Sequence, residues 1–245
     1  MLSKNVDDGL RVEHVTQRFG GLLALDDISF TAERNRITGL IGPNGSGKTT
    51  MFNIISGFIK PTAGHIYANG DEITGLAPHR MSAHGIGRTF QIPKPFASMT
   101  VRQTVELAAQ ANPKTGHADP ASVAREVGLG NKLDLYPSEL TTADLHSLEL
   151  AKVLATGARF VLLDEVFAGL NLSEIEVITQ LVRRVADRGT SFLIIEHRMR
   201  AVMALCDRVH VLLYGRLAVS GTPVEVTRDP EVIEAYLGAE KIEHA

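Results

Sequence analysis

One glycine-rich segment, residues 42–50, limits the possible folds of this 245-residue chain more than any other feature. An apolar run, Ile37–Ile41, precedes it, and a helix-like stretch, Thr50–Ser56, follows. In such a strand–loop–helix unit, backbone N–H groups and the positive end of the helix bind phosphate oxygens. We therefore predict a nucleotide-binding loop in which Lys48 bridges the β- and γ-phosphates and the Thr49 hydroxyl binds Mg²⁺. The segment reads Gly42-Pro43-Asn44-Gly45-Ser46-Gly47-Lys48-Thr49-Thr50.

Composition narrows the partners of the chain. The net charge is −3 and the basic residues are scattered, which argues against a nucleic acid as partner. The single cysteine, Cys206, excludes an internal disulfide and is typical of a reducing cytoplasm. No apolar run approaches the roughly 18 residues of a membrane-spanning helix, and a signal peptide is not evident. We expect a soluble protein that meets a membrane only through a partner.

The order of predicted elements indicates an α/β fold. The first third is rich in strands and the last third alternates strands with helices, which predicts a parallel sheet that binds its ligand at the carboxyl ends of the strands. The predicted strands are Leu10–Val15, Leu25–Ala32, Ile37–Ile41, Gly64–Tyr67, Phe160–Leu163, Ser191–Ile195 and Arg208–Leu213. The predicted helices that flank the later strands are Thr142–Ala155, Glu174–Arg188 and Arg198–Leu205.

A helical subdomain interrupts this core. Helical patterns at Val101–Ala111 and Ala121–Val127 enclose a segment rich in helix breakers, Asn112–Pro120. We expect one domain, 1–245, with an α/β core formed by 1–91 and 156–245 and a helical subdomain at 92–155.

Helix ends are predicted from local signals. Ser173 with Glu176 forms a capping-box pattern for the Glu174–Arg188 helix, which is expected to stop at Gly189. Near the end of the chain, Asp229-Pro230 predicts a helix start, and Gly238 is expected to close that helix.

Two acids follow a buried-strand pattern at Phe160–Leu163. Asp164, at the tip of the strand, is suited to hold Mg²⁺, usually through water, and Glu165 is suited to polarise the attacking water. The alternative is that both acids only solvate the end of the strand. It becomes unattractive in a chain that also carries a phosphate-binding loop.

Three further residues have two readings each. His197, after a buried strand, suits a hydrogen bond to a γ-phosphate, Gln91 suits contact with Mg²⁺ and the attacking water, and Phe19 suits stacking on adenine. Taken alone, a histidine in such a place is more often structural, Gln91 indicates little by itself, and a core role for Phe19 is equally expected. The match Asn131-Lys132-Leu133-Asp134 to a guanine-binding motif is rejected, because no apolar strand precedes it.

Taken in order, these motifs resemble the ATP-binding subunits of ABC transporters over nearly the whole chain, and more narrowly the branched-chain amino acid importer ATPases. The resemblance implies a P-loop NTPase fold of the ABC type, with an antiparallel β subdomain and an inserted helical subdomain. The segments that carry it are Phe19-Gly20-Gly21-Leu22, Leu40–Phe52, Ile86–Phe96, Ala168-Gly169-Leu170-Asn171, Ile195-Glu196-His197 and Gly215–Gly238.

The resemblance also implies a role for each matching position. Residues 42–50 correspond to the Walker A loop and Asp164 to the Walker B acid, with ATP and Mg²⁺ as ligands. The other implied roles are an adenine-stacking aromatic at Phe19, a Q-loop glutamine at Gln91, a general base at Glu165, a D-loop at Ala168-Gly169-Leu170-Asn171 and a switch histidine at His197.

One motif departs from the family pattern. Where the family has Leu-Ser-x-Gly-Gln at the start of a helix, this chain has Leu140-Thr141-Thr142-Ala143-Asp144. We expect the Ala143 Cβ to reduce clearance and the Asp144 charge to repel a polyphosphate unless it is paired. Val166 replaces a usual proline, which we expect to matter less.

The resemblance implies an ATPase that energises import of branched-chain or related amino acids or small amides. Its implied partners are a second ATPase subunit, a different chain, in a head-to-tail dimer, membrane permease subunits and, indirectly, a solute-binding protein. This places the chain at the cytoplasmic face of the inner membrane. Phe96, Met99 and Val101 either dock the permease or form the core of the helical subdomain. The alternative function is a regulatory or non-transport ABC ATPase with weak hydrolysis.

Overall fold

A computed structural model describes residues 9–112, 119–196 and 198–243, which form ten strands and nine α-helices within those ranges. The strands are β1 Leu10–Phe19, β2 Leu22–Ala32, β3 Ile37–Ile41, β4 Ala63–Ala68, β5 Asp71–Glu72, β6 Ile86–Arg88, β7 Phe160–Asp164, β8 Ser191–Ile195, β9 Arg208–Leu213 and β10 Arg216–Gly221. The helices are α1 Lys48–Ile55, α2 Pro78–Met81, α3 Val101–Gln110, α4 Pro120–Glu126, α5 Thr142–Ala155, α6 Leu172–Ala186, α7 Met199–Leu205, α8 Pro223–Val226 and α9 Pro230–Glu243.

The larger sheet has six strands in the order β10-β9-β3-β8-β7-β6, all parallel except for the β9–β10 hairpin. Every residue of β3 and β8 is buried, as expected for strands covered on both faces. Because β8 lies between β3 and β7, the strand before the glycine-rich loop does not pair with the acidic strand. The carboxyl ends of β3 and β7 nevertheless open onto the same edge of the sheet.

The smaller sheet is antiparallel, in the order β2-β1-β4-β5. β1 and β2 extend to Phe19 and Leu22, beyond the predicted strands, because register shifts along β1 let the pairing continue. His14 and Asp27 have positive φ at these irregularities, and such bulges are not visible in an apolar pattern. The sheet confirms the predicted antiparallel β subdomain.

Two predicted helix ends are wrong. The capping box of α6 is formed by Asn171 and Glu174 rather than by Ser173 and Glu176, so the helix begins two residues before the predicted start. Gly238 lies inside α9, which continues to Glu243. The start of α9 follows the prediction, because the Asp229 carboxylate accepts hydrogen bonds from the N–H groups of Glu231 and Val232.

The helices α3, α4 and α5 pack together, and their apolar side chains join one face of the larger sheet in a continuous core. A second apolar cluster lies between the two sheets and contains Met51, Phe52 and Ile54 of α1. Within the described ranges, none of the helices is both long and apolar enough to cross a bilayer.

Candidate functional site

The glycine-rich loop turns from β3 into α1 through backbone conformations that require glycine. Gly42 has φ 149°, and a Cβ there would lie 2.2 Å from the Leu212 carbonyl oxygen. Gly47 has φ 105°, and its Cβ would lie 2.6 Å from the Leu25 side chain. Larger residues at either position would push the loop off the sheet, so these glycines fix the path of the loop.

Lys48, the first residue of α1, folds back over this loop. Its ammonium group donates to the carbonyl oxygens of Gly42, at 2.7 Å, and Pro43, at 2.9 Å. Burial lowers the pKa of Lys48, and the charge of Glu165 opposes that shift. A charged ammonium with carbonyl partners can exchange them for phosphate oxygens at little cost, because both are oxygen acceptors.

A cleft of about 460 Å³ lies over the loop. Phe19, from the end of β1, is 46% exposed and lines this cleft, and Glu165 lines it too. The remaining lining includes Asn44, Gly45, Gly47, Lys48, Thr49, Thr50 and the exposed Tyr214. The cleft therefore combines an aromatic face, a loop of backbone donors and a carboxylate, which suits an aromatic base, a polyphosphate and an attacking water.

Asp164 ends β7 and is held by an arginine that the sequence reasoning did not select. The Arg88 Nη2 group donates to Asp164 Oδ2 at 2.6 Å, and the two side chains are only 12% and 14% exposed. Arg88 lies within the Ile86–Phe96 segment, but its link to Asp164 depends on the pairing of β6 with β7. That parallel pairing cannot be read from a local pattern.

Glu165 has a strained backbone, with φ 45°. Its N–H donates to the Ile195 carbonyl at 3.0 Å, and its carboxylate accepts a 2.7 Å hydrogen bond from Gln91 Nε2. Non-glycine residues in this region cost about 1–3 kcal/mol and are concentrated at functional sites. The structure thus brings Gln91 and Glu165 together, as expected of two groups that act on one water.

His197 lies outside the described residues. The preceding residue, Glu196, is 2% exposed and accepts hydrogen bonds from the N–H groups of Phe167 and Arg198. The role expected of His197 stays a prediction.

The cleft offers few protein ligands for a magnesium ion. Arg88 occupies Asp164 Oδ2, which leaves the second carboxylate oxygen, and Thr49 is exposed in the cleft. In the described ranges, no three His, Cys, Asp or Glu side chains lie close enough to hold a metal alone. This small number of protein ligands is compatible with Mg²⁺, because Mg²⁺ takes most of its ligands from water and nucleotide phosphates.

The segment predicted to be an altered signature stands at the start of α5. Thr141 caps the helix in a capping box with Asp144, and Lys132 donates to both Asp144 carboxylate oxygens at 2.7 and 2.6 Å. Burial alone would raise the pKa of Asp144, but the hydrogen bonds from Lys132 and Thr141 outweigh it and lower the pKa. The Asp144 charge is therefore paired, which removes much of the expected repulsion.

Ala143 and Thr142 point in different directions. Ala143 is 9% exposed and belongs to the apolar core, so its Cβ packs inward, whereas Thr142 is exposed. Leu145 makes the first intrahelical hydrogen bond, to the Thr141 carbonyl. The expected loss of clearance at Ala143 is therefore not supported by the direction in which its side chain packs.

The Ala168-Gly169-Leu170-Asn171 segment links the acidic strand to α6. The Ala168 N–H donates to the Glu165 carbonyl at 3.0 Å, and Leu170 is buried. Gly169 has φ 77° with open space around it, and the Asn171 side chain caps α6. The segment is thus fixed at both ends and exposed at Gly169.

The fold and this cleft define an ATP-binding cassette of the ABC class. Residues 25–168 match the ABC transporter family, and residues 216–242 match the branched-chain amino acid ATP-binding cassette transporter family. The chain belongs to the ABC transporter ATP-binding proteins of the branched-chain amino acid (LivG/BraF) family. It is therefore an ABC-type ATPase coupled to transport.

Individual relatives and structures are similar over almost the full length. The high-affinity branched-chain amino acid transport ATP-binding protein LivG of Salmonella typhimurium is 36% identical, over 94% of this chain and 97% of that protein. BraF of Pseudomonas aeruginosa is 34% identical over the same shares. The ADP conformation of MJ1267, an ATP-binding cassette of an ABC transporter, superimposes with a TM-score of 0.83 at 30% identity, over 94% of this chain and 99% of that one.

Proposed function

We propose that this chain hydrolyses Mg-ATP to drive import of branched-chain amino acids, related amino acids or small amides. The observation that carries the proposal is the shared cleft, in which the glycine-rich loop, Lys48 and Glu165 meet. The amino acid class is supported by the LivG and BraF relatives, whose own role is branched-chain amino acid transport.

Each residue of the cleft is assigned a separate role in nucleotide binding or hydrolysis. Phe19 stacks on the base, and Lys48 leaves its two carbonyl partners for phosphate oxygens. Glu165 orients the attacking water, and Gln91, bonded to Glu165 at 2.7 Å, positions that carboxylate. Asp164 and Thr49 would hold Mg²⁺, which when bound neutralises charge that develops on the γ-phosphate. His197 is assigned contact with the γ-phosphate.

Hydrolysis on this account needs a second cassette. In a head-to-tail pair, the start of α5 of one subunit faces the nucleotide of the other. We assign the second position to a different chain whose own signature faces the Lys48 loop of this one. The segment Leu140–Asp144 then faces the partner's nucleotide. Because Lys132 pairs the Asp144 charge and Ala143 packs inward, the proposed weakness of that site rests on the repulsion that remains at Asp144.

A permease supplies the link to the membrane. An apolar groove of about 600 Å³ lies between the larger sheet and the helical subdomain, and Phe58 and Phe96 are exposed in it. Val101 is fully buried and belongs to the core, and Met99 is half-buried, so Phe96 is the one of the three that suits docking. A cytoplasmic permease helix in this groove would hold the chain at the inner membrane face.

The experiment starts from tagged chain recovered with its native membrane complex, reconstituted in vesicles. ATP hydrolysis and uptake of labelled leucine, alanine and a short amide are measured for the natural complex and for Lys48→Ala and Glu165→Gln in this chain. The equivalent glutamate change in the second cassette is the matched control. We expect Glu165→Gln to abolish turnover, because it removes the group that orients water in the stronger site, and the partner change to leave partial turnover.

The outcomes separate the proposal from its alternative. A chain that recovers no permease and turns over ATP negligibly would indicate a regulatory, non-transport ATPase with a weakened signature. Full turnover with Glu165→Gln and none with the partner change would reverse the assigned asymmetry. Uptake that survives Lys48→Ala unchanged would refute the proposed role in energising transport.

A further inference from the structure

Arg88 occupies a position that neither the glycine-rich loop nor the acidic strand explains by itself. It ends β6, the edge strand of the larger sheet, and its side chain is 12% exposed. From there it lies between the end of β7, the helix α1 and the apolar groove. A largely buried arginine is expensive unless each part of its guanidinium group is used.

Two nitrogens of the guanidinium group hold two different elements. Nη2 donates to Asp164 Oδ2 at 2.6 Å, at the end of β7. Nη1 donates to Asn53 Oδ1 at 2.8 Å and to Ser56 Oγ at 2.9 Å, both from α1 and its carboxyl-terminal end. The rigid planar group thus ties the acidic strand to the helix that begins at Lys48.

Aromatic rings surround this bridge, whose arginine and aspartate side chains are only 12% and 14% exposed. The guanidinium carbon lies 5.8, 5.6 and 6.0 Å from the ring centres of Phe52, Phe58 and Phe90. Hydrogen bonds to a charge are stronger where water is excluded. The Arg88 Nε atom is buried and has no hydrogen-bond partner among the described residues, so the arrangement also carries a cost.

We infer that Arg88 is a positioning residue for the carboxylate that holds magnesium. By bonding Oδ2 from one fixed direction, Arg88 holds the Asp164 carboxylate in a single orientation and leaves the other oxygen for the metal or a metal-bound water. The inference rests on the proposed function, because it needs the magnesium site assigned there to Asp164 and Thr49.

If Arg88 acts by orienting Asp164, its loss changes magnesium affinity in the opposite direction from the change expected if it acts through its charge. An arginine beside a carboxylate offsets the negative potential that attracts a cation. If Arg88 acts only through its charge, its loss therefore strengthens magnesium binding. On the positioning account, loss of the fork lets the carboxylate rotate and weakens magnesium binding. A lysine at position 88 distinguishes the charge account from the positioning account. It keeps the positive charge but lacks the planar group that contacts Asp164 and α1 at the same time.

The test uses the full chain and calorimetry. ATP affinity is measured with Mg²⁺ and again with EDTA, and the ratio of the two affinities is compared between the natural chain, Arg88→Lys and Arg88→Gln. We expect the ratio to fall about tenfold in both variants, which corresponds to about 1.4 kcal/mol. Affinity in EDTA reports the loop alone and is expected to change much less.

Two control variants test whether a change in the ratio is specific to the Arg88 contacts. Arg183→Lys alters another half-buried arginine pair, with Asp207 at 2.9 Å, on the far side of β3 from Arg88, and it should lower stability without changing the ratio. Asn53→Ala leaves Arg88 and Asp164 in place but removes one anchor, and it should lower the ratio less. If the Arg88 variants do not fold, Asn53→Ala and Ser56→Ala together carry the test.

Each outcome decides one point. If the natural chain shows no preference for Mg-ATP over ATP in EDTA, the proposed magnesium site is wrong. If it shows the preference and Arg88→Lys keeps it, Arg88 supports the fold or supplies charge only, and the inference is overturned while the proposed function stands. A ratio that rises in Arg88→Gln overturns it in favour of the charge account.

Discussion

Lys132 and Asp144 show how far the effect of one residue depends on a neighbour in space. In the sequence, Asp144 is an unfavourable charge in a motif that faces a polyphosphate, and Lys132 belongs to a rejected guanine-binding pattern. In the structure, the ammonium group bonds both carboxylate oxygens, and the side chains are 31% and 15% exposed. The pair joins the loop before α5 to the first turn of that helix.

The first prediction concerns the strength of this pair. Lys132→Ala should lower the free energy of unfolding by about 1–2 kcal/mol, between the values for exposed and buried pairs, because it leaves a largely buried carboxylate without its cation. The double variant Lys132→Ala/Asp144→Asn should recover most of the loss. Urea denaturation of the full chain measures both.

A matched control is available in the same region. Arg102 and Asp134 form a longer contact of 3.6 Å, with side chains 42% and 88% exposed. Arg102→Ala should change the free energy of unfolding by less than about 0.5 kcal/mol, as is usual for exposed pairs. Equal losses in Lys132→Ala and Arg102→Ala would mean that the Asp144 pairing has no special weight.

The start of α6 shows how closely two capping patterns can compete within one element. Ser173 and Asn171 are both followed by glutamate at the spacing of a capping box, and the apolar pattern does not choose between them. The structure selects Asn171, whose Oδ1 accepts from the Glu174 N–H and from the Ser173 hydroxyl. Earlier capping lengthens the helix and ends the Ala168–Asn171 segment at a fixed point.

The second prediction therefore concerns this cap. Asn171→Ala should destabilise the chain by about 1 kcal/mol, because it leaves helix-terminal N–H groups without an acceptor. Ser173→Ala removes only a hydroxyl that supports the cap, and should cost a few tenths of that amount. Thermal and urea denaturation of both variants measure the difference. A larger loss in Ser173→Ala than in Asn171→Ala would restore the cap predicted from sequence.

For the complete fold, the sequence predicted what local patterns determine. β3, β8, β9 and α5 have the bounds expected from apolar runs and helical signals, because a buried strand or a capped helix is recorded in its own residues. Contacts between residues that are distant in the sequence could not be predicted in this way. The pairing of β3 with β8 and the Arg88–Asp164 contact each join residues more than 70 positions apart.

One such long-range contact joins the two sheets. His210, on β9, is 3% exposed, and its Nε2–H donates to the Thr31 carbonyl of β2 at 3.2 Å. Because Nε2 carries the proton, Nδ1 accepts from the Ser220 hydroxyl at 2.7 Å. Burial lowers the pKa of His210 to about 4, with a smaller contribution from the Arg208 charge and an opposing one from the Thr31 hydrogen bond.

The last prediction follows from this buried, neutral imidazole. In the unfolded chain its pKa is about 6.5, so between pH 6.5 and 4 the unfolded state binds more protons, and the free energy of unfolding falls as the pH is lowered. The full loss is about 3 kcal/mol from a shift of this size, and it is complete below the folded pKa.

His210→Gln keeps a donor for Thr31 but does not titrate. Urea denaturation at pH 7, 6, 5 and 4 should therefore show a shallower decline for the variant, although carboxylates contribute equally to both proteins. Parallel curves would show that His210 accepts a proton in the folded state as readily as in the unfolded state, and that the contact between the sheets tolerates a charge.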